Sequence, residues 1–563
     1  MGRRGTHSVG KKKEVMSQEQ EDRKYFESCI EEMEGGEKTM PMSKIVKYHD
    51  LVDRLWGWDK LLPIGDSVSR SAYSNYLEAY YLNTETPSKS LSSIAAIAEI
   101  CRVKEEELCK MQMESKMETI LQIRKSIVLS CLIHHHASSF IHTENCKVSS
   151  LSNAAFWCIA KETDLTLELL RRGARPCDDY LIDQGINIRM CALSLMKYTL
   201  NNSVAASAAM SGMSKEAEMM CGWMGENRKL LDFYDDLIPE VLVDSRKVRY
   251  RTLDVMVKML QESVAGGGHN IDEVANTTGG SILDVLNSHN QKIQDGRKNK
   301  RKRDKEDVLG KLWGWERLLP LSGSVEWSDY CKYLEKYYNV NAVSFITGVV
   351  QIDTTAGSSL AAVVAKRCLK MEEELVSEWK TRVPHNWDCT ISFSTIIQSS
   401  LIKERALAIC SNVDEFSVFS AIAFVCIIEE ADLTCELLKH GAEPINDIIE
   451  QSSVIRMCAL GLVNIKGDQS IASAAAMVGM AKEARRMSDW IKRENKLITF
   501  NMSDPHVLEE ARLIRARTLD AMIRILAAYH VPLSVEPRVS DAKLLSTHTA
   551  QGEAPRLTSR VKN

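Results

Sequence analysis

The run CLIHHHASSFIHTENC (Cys131 to Cys146) gathers the side chains that zinc prefers. Cys131, His134, His135, His136, His142 and Cys146 all fall within it. A zinc site needs such donors in a fixed tetrahedral arrangement. Three consecutive histidines on a helix point in different directions instead. The matching region of the second half of the chain, around SLIKERALAICSNVDEF, has no histidine. The spacing therefore reads as a polar helix face, and neither a metal nor any other cofactor is expected.

Other chemistry-bearing patterns are few. The chain has no P-loop, no G-x-G-x-x-G, no H-E-x-x-H and no G-x-S-x-G. No catalytic residues are assigned, and the chain is read as non-enzymatic. The acid triplets Glu105–Glu107 and Glu372–Glu374 would need a buried cleft partner for acid–base work. On a helix, such a triplet reads as a solvated face. Arg189 and Arg456 each sit inside I-R-M-C-A-L. An arginine in so apolar a segment is expected to form an ion pair with a carboxylate of its own half; gripping phosphate is the sharper alternative. Arg251 with Asp254, and Arg517 with Asp520, are local i,i+3 pairs by spacing.

The run GRKNKRKRDK (Gly296 to Lys305) carries seven basic residues: Arg297, Lys298, Lys300, Arg301, Lys302, Arg303 and Lys305. Such a run cannot pack in a core. Its leading reading is a nuclear import signal engaging an import receptor; a nucleic-acid contact strip and a solvated linker are the alternatives. The N-terminal GRRGTHSVGKKK could be a second basic arm. Met1-Gly2 with Thr6 formally fits a myristoylation pattern, although Arg3 and Arg4 make a poor context for it.

The elements that position these residues are written twice. DRLWGWDKLLP (Asp53 to Pro63) answers GKLWGWERLLP (Gly310 to Pro320). NYLEAYY (Asn75 to Tyr81) answers KYLEKYY (Lys332 to Tyr338), and IAEICRVKEEEL (Ile97 to Leu108) answers VAKRCLKMEEEL (Val364 to Leu375). DLTLELLRRGARP, IRMCALSL and RTLDVM have partners in DLTCELLKHGAEP, IRMCALGL and RTLDAM. Blocks matching in order imply two homologous, domain-sized halves. The expected organisation is an arm over 1–43, a helical domain over 44–262, and a linker with the basic run over 263–305. A second helical domain follows over 306–530, and then a disordered tail over 531–563.

Within each half the apolar spacing is helical, as at Leu151, Ala154, Ala155, Cys158 and Ile159. Asp164 or Thr163 reads as an N-cap, and Gly173 as a left-handed residue closing the helix before Pro176. The fold class expected is all-α, with eight or nine helices per half; SFITGVVQI (Ser344 to Ile352) could form a strand. Trp56, Trp58, Trp313 and Trp315 read as core anchors, with an exposed stacking platform as the alternative.

The junctions LELLRRGARP and CELLKHGAEP resemble the helix-to-loop junction of an ankyrin repeat. Leu169, Leu170, Gly173, Ala174 and Pro176 carry the likeness, as do Leu437, Leu438, Gly441, Ala442 and Pro444. The likeness covers about 20 residues per half and lacks the T-P-L-H opening and the 33-residue period. It implies that the run closes the second helix of a pair, with Ala160 and Ala423 on the first, and that the units bind protein.

Composition sets the outer bounds. The chain has 563 residues, 44% hydrophobic, and a formal net charge of −4. Any nucleic-acid binding must come from local patches. No apolar run is long enough to span a membrane. Sixteen scattered cysteines without C-x-x-C suggest a reducing compartment, nucleus or cytoplasm. The functional expectation is a helical scaffold that binds protein partners through two similar domains. A protein clamping single-stranded nucleic acid in a groove between the domains is the alternative.

Overall fold

The computed structural model describes residues 94–114, 121–142, 150–175, 180–196, 203–227, 240–266, 360–382, 389–411, 418–444, 446–463, 469–495 and 506–531. Trp56, Trp58, Trp313, Trp315, SFITGVVQI, the basic run, the N-terminal arm and the C-terminal tail lie outside them. Among the described residues there are twelve helices and no strand. The fold is all-α.

The helices fall into two sets of six. The first holds α1 (Ile94–Glu114), α2 (Leu121–His142), α3 (Ser150–Arg171), α4 (Tyr180–Leu195), α5 (Ser203–Asn227) and α6 (Glu240–Gly266). The second holds α7 (Leu360–Arg382), α8 (Cys389–Ser411), α9 (Val418–Lys439), α10 (Asp447–Leu462), α11 (Gln469–Glu494) and α12 (His506–His530). In each set, consecutive helices pair: α1 with α2, α3 with α4, α5 with α6, and likewise through α12. The pairs stack so that α1, α3 and α5 form one layer and α2, α4 and α6 another. The second set repeats this, with α7, α9 and α11 in one layer and α8, α10 and α12 in the other.

The two sets meet through their even-numbered helices. Helix α2 packs on α10 and α12, and reciprocally α8 packs on α4 and α6. Among the described residues the helices thus lie in four layers, with the even helices between the odd ones. One hydrophobic cluster runs through both sets, from Ile94 to Val531, and a smaller one around Trp379, Leu433 and Met487 lies in the second set.

This layering explains the residue patterns. An odd helix has one buried stripe, as in α1, where Ile94, Ile97, Ala98, Cys101, Leu108 and Cys109 are buried and Val103 is exposed. Helix α4 has neighbours on all sides, and every residue from Leu181 to Leu195 except Asp183 is buried. A helix buried all round loses its amphipathic period, and its polar residues must find partners inside. Alanines and methionines in α5 and α11, such as Ala206, Ala209, Met210 and Met213, or Ala476, Met477 and Met480, are buried and let these helices lie close to α3 and α9.

Gly173 and Gly441 have φ of 88° and 85°. The Ala174 N–H donates to Leu169 O at 3.0 Å and the Gly173 N–H to Leu170 O at 3.0 Å. The Ala442 N–H donates to Leu437 O and the Gly441 N–H to Leu438 O at 2.9 and 3.0 Å. Both helices therefore end in a Schellman motif, which satisfies carbonyls that would otherwise be orphaned. Helix α10 opens on Asn446, whose side chain accepts from the Ile448 N–H at 3.0 Å.

The N-cap expected at Thr163 or Asp164 does not form. Helix α3 runs unbroken from Ser150 through Arg171, so Ala160 and Leu169 share one helix, as do Ala423 and Leu437 in α9. The glycine junction closes the first helix of its pair, α3 or α9, not the second. The Thr163 hydroxyl donates back to Ile159 O at 2.7 Å, which keeps a capping residue content inside a helix.

Candidate functional site: four buried arginine–glutamate clusters

The described chemistry concentrates in four buried ion pairs. Arg189 on α4 meets Glu105 on α1: Nε donates to Oε1 at 2.9 Å and Nη2 to Oε2 at 2.6 Å. Both side chains are 0% exposed. The Ser130 hydroxyl donates to Glu105 Oε2 at 2.6 Å and accepts from Arg189 Nη2 at 3.0 Å. The single O–H of Thr163 is shared between Ile159 O and Glu105 Oε1, which lies 2.5 Å away.

The same cluster recurs in the second set. Arg456 on α10 donates from Nε to Glu372 Oε1 at 3.2 Å and from Nη2 to Oε2. Ser399 donates to Glu372 Oε2 at 2.6 Å. Gln398 Oε1 accepts from Arg456 Nη1 at 3.4 Å. Ala431 stands where the first set has Thr163, so this carboxylate lacks the fourth donor.

Two further pairs join the next layers. Arg249 on α6 grips Glu162 on α3 with Nη1 and Nη2 at 2.6 and 2.7 Å, while its Nε donates to Gln184 Oε1 at 3.0 Å. Arg515 on α12 grips Glu430 on α9 at 2.5 and 2.7 Å, and its Nε donates to Gln451 Oε1 at 3.1 Å. Ser452 adds a 2.7 Å bond to Glu430 Oε2. Gly185 occupies the equivalent place in the first set, where a Cβ would lie 3.2 Å from Thr166 Oγ1.

The four pairs obey one rule. Each glutamate comes from the odd helix of one helical pair, and each arginine from the even helix of the next: α1 to α4, α3 to α6, α7 to α10, α9 to α12. Planar, bidentate guanidinium–carboxylate contacts fix both distance and orientation, so each pair staples consecutive helical pairs. Burying two charges costs much of what their attraction returns, and the surrounding hydroxyl and amide groups complete the compensation.

Arg189 and Arg456 thus form ion pairs within their own halves, as their apolar surroundings imply, and neither faces an open groove. The reading of the acid triplets needs correction at its first member. Glu105 and Glu372 are buried, whereas Glu107, Glu373 and Glu374 are exposed and Glu106 is half-buried. Glu105 follows Cys101 by four residues on the buried stripe. The same C-x-x-x-E spacing marks Cys158 and Glu162, Cys368 and Glu372, and Cys426 and Glu430. That signal was available in the sequence, and Glu162, Glu430, Arg249 and Arg515 could have been found with it. Asp254 bonds Lys258 at 2.6 Å and Asp520 bonds Arg524 at 3.0 Å, each an i,i+4 contact.

The histidine-rich run lies on α2. His134 Nε2 sits 3.3 Å from Arg102 Nη1, and burial together with that guanidinium pushes its pKa down. His135 packs edge-on against His530 of α12, with ring centroids 5.2 Å apart. Cys131 is buried. Among the described residues no group of three or more His, Cys, Asp or Glu side chains could hold a metal ion; the His142 side chain and Cys146 lie outside them. Among them too, no helix is long and apolar enough to cross a membrane. Compared with known protein families, with curated proteins and with solved structures, the chain matches none.

Proposed function

We propose that this chain is a non-enzymatic helical scaffold that binds protein partners through the odd-helix layers of its two similar halves. The carrying observation is the repeated exposed acid of α1 and α7. Glu107 answers Glu374, both exposed, beside Glu106 and Glu373. Stacked helical pairs commonly serve as binding surfaces, although that likeness is one of architecture alone. Here the even-helix faces are consumed by the contact between the sets, which leaves the odd-helix layers to engage partners. These acids pair with cations of the same chain, Glu107 with Arg171, Glu106 with Arg102 and Lys110, Glu373 with Lys403 and Glu374 with Lys370, so the faces suit a partner of mixed charge; two such faces on one chain permit bivalent engagement.

The basic run from Arg297 to Lys305 supports nuclear import by a receptor. The eleven cysteines whose side chains are described are free thiols, in keeping with a reducing compartment. The alternative reading, a single-stranded nucleic acid clamped between the halves, draws on the same basic run. It is less favoured because packed side chains fill the space between the two sets.

Cross-linking of the full-length protein to partners from nuclear extract is expected to map to α1 and α7 and to weaken with Glu107→Lys plus Glu374→Lys. Retention of single-stranded RNA that falls steeply with salt, and is abolished by neutralising Lys300 to Arg303, would favour the alternative.

A further inference from the structure

The contact between the two sets joins counterparts that have diverged. Ser130 of α2 and Ser399 of α8 bond Glu105 and Glu372 alike, which makes Lys125 and Ser394, five residues before each, equivalent positions. Lys125 donates across the contact to the Ser394 hydroxyl, and also reaches Asn187 Oδ1 of its own set at 3.5 Å. The neighbouring counterparts differ as well. Arg124 of α2 lies 3.9 Å from Asp520 of α12, whereas the ring of Phe393 of α8 is centred 6.3 Å from that of Tyr250 of α6. On α10, Gly461 leaves room for Leu132 of α2: an added Cβ would lie 3.4 Å from Leu132 Cδ2 and 2.9 Å from Leu526 Cδ1. The counterpart of Gly461 in α4 is Ser194, which is buried.

These differences decide which halves fit together. Two first sets joined in the same manner would bring Lys125 against Lys125. An ammonium has three donors and no acceptor, so the hydrogen bond across the contact would be lost and like charges would face each other in a half-buried setting. Leu132 would meet Ser194 in place of Gly461. Two second sets would bring Ser394 against Ser394 with no cation. Phe393 would then meet Ala516 in place of Tyr250, and Asp520 would face Phe393 rather than Arg124. Only the unlike pair places one ammonium against one hydroxyl acceptor. A surface that must reject a near-copy of its true partner does so through such repulsive or unfilled contacts.

We propose that the even-helix face of each set accepts only the unlike set, and that Lys125 with Ser394 is the residue pair that makes this choice. The face is thereby committed to closing the chain on itself, and two copies of the chain do not join through like sets. The choice holds whatever the odd-helix layers engage.

Substitutions in the full-length protein write the rejected pairings into a single chain. Ser394→Lys reproduces the paired lysines of two first sets, and Lys125→Ser the paired serines of two second sets. Because counterparts meet only near a two-fold axis, making both changes is a third case: the lysine then donates from α8 to a serine on α2. Asp183 and Glu450 are themselves counterparts and both act on Lys125 electrostatically, so the exchanged lysine keeps a carboxylate from each set. Amide exchange in α2 and α8, referred to α3 and α9 of the outer layers, reads the contact. Ser394→Lys should speed it about tenfold and Lys125→Ser about threefold, within the range of couplings between residues in contact. The double variant should return to within about twofold of the unsubstituted protein. If Ser394→Lys alone fails to fold, recovery of folded protein on adding Lys125→Ser gives the same support. The proposal is overturned if the double variant shows the summed losses of the two single ones or fails to fold. It is overturned equally if Ser394→Lys leaves α2 and α8 as protected as before.

Discussion

Lys125 and Ser394 occupy equivalent positions in α2 and α8, and they hydrogen-bond to each other. The equivalence follows from Ser130 and Ser399, five residues further on, which make the same bond to Glu105 and Glu372. A residue meets its own counterpart only near a two-fold axis. The exchange of α2 on α10 and α12 for α8 on α4 and α6 says the same. The halves contact each other as subunits of a symmetric dimer would, but with one side free to diverge. Where α8 and α6 bring Phe393 near Tyr250, α2 and α12 bring Arg124 within 3.9 Å of Asp520. The divergence at the centre itself, lysine against serine, avoids placing two ammonium groups face to face.

Removing one member of a buried pair should be severe. Arg189→Met leaves Glu105 with its hydroxyl donors but no counter-charge, and Arg456→Met does the same to Glu372. Each is expected to cost about 3–5 kcal/mol in chemical denaturation. Replacing both members, as in Arg189→Met with Glu105→Leu, should recover much of that loss, because no unpaired charge remains. A double variant as unstable as the single one would mean the staple contributes geometry that apolar packing cannot replace.

Two glycine classes should respond differently to alanine. At Gly173 and Gly441 nothing lies within 4 Å of an added Cβ, so only the left-handed backbone objects, at about 1–2 kcal/mol each. At Gly461 the backbone is ordinary but a Cβ would meet Leu526 Cδ1 at 2.9 Å and Leu132 Cδ2 at 3.4 Å. Overpacking there should cost about 1–3 kcal/mol. Because Leu132 belongs to the other set, Gly461→Ala should also raise amide exchange in α2, whereas Gly173→Ala should not.

The sequence carried the helices, their glycine stops and the pairing of Arg189 and Arg456, because each depends on local spacing or on one charge in an apolar segment; it did not carry the pairs of Arg249 and Arg515. It misled at Thr163 and Glu105 for one shared reason. A hydroxyl or carboxylate reads as a cap or a solvated face only if water or a helix end is nearby. Here Thr163 bonds Ile159 O and Glu105, and Glu105 bonds Arg189, eighty-four residues away. Such long-range partners leave no mark on local periodicity. The reciprocal packing of the halves was equally invisible, since a duplicated sequence is compatible with separate domains or with a shared core.

Two groups should give stability a pH dependence of opposite sign. Burial raises the Glu429 pKa to about 7, opposed by Arg485 and reinforced by Asp432. A raised carboxyl stabilises the fold while it is protonated, so that contribution fades as pH rises from about 4.5 through about 7. His530 is pushed down to about 3, first by burial and then by His135 and His134, with the Gly461 backbone opposing. A depressed imidazole stabilises the fold above its ordinary 6.5 and loses that contribution as pH falls below it. In denaturation midpoints measured from pH 5 to pH 8, Glu429→Gln should lose a fall with rising pH between pH 5 and about 7, and His530→Gln should lose a fall with decreasing pH below about 6.5. Unchanged slopes in either variant would assign the pH dependence elsewhere.

Thiol chemistry should be ordered by burial. Cys101, Cys158, Cys191, Cys368 and Cys426 are enclosed, and desolvation pushes each well above the usual thiol value. Cys221 is half-buried and pushed up to about 12. Cys410 is also half-buried and raised by burial, but Lys366 favours its thiolate. The thiolate is the reacting species, so at pH 8 an alkylating reagent should modify Cys410 before Cys221. The five enclosed thiols should react only as fast as the protein opens. Peptide mapping by mass spectrometry over time gives each rate. The enclosed thiols should lag Cys410 by at least about tenfold, since each unit of pKa removes a tenfold share of thiolate before access is counted. Labelling of Cys191 at the rate of Cys410 would show that the buried even-helix layer opens far more readily than its packing implies.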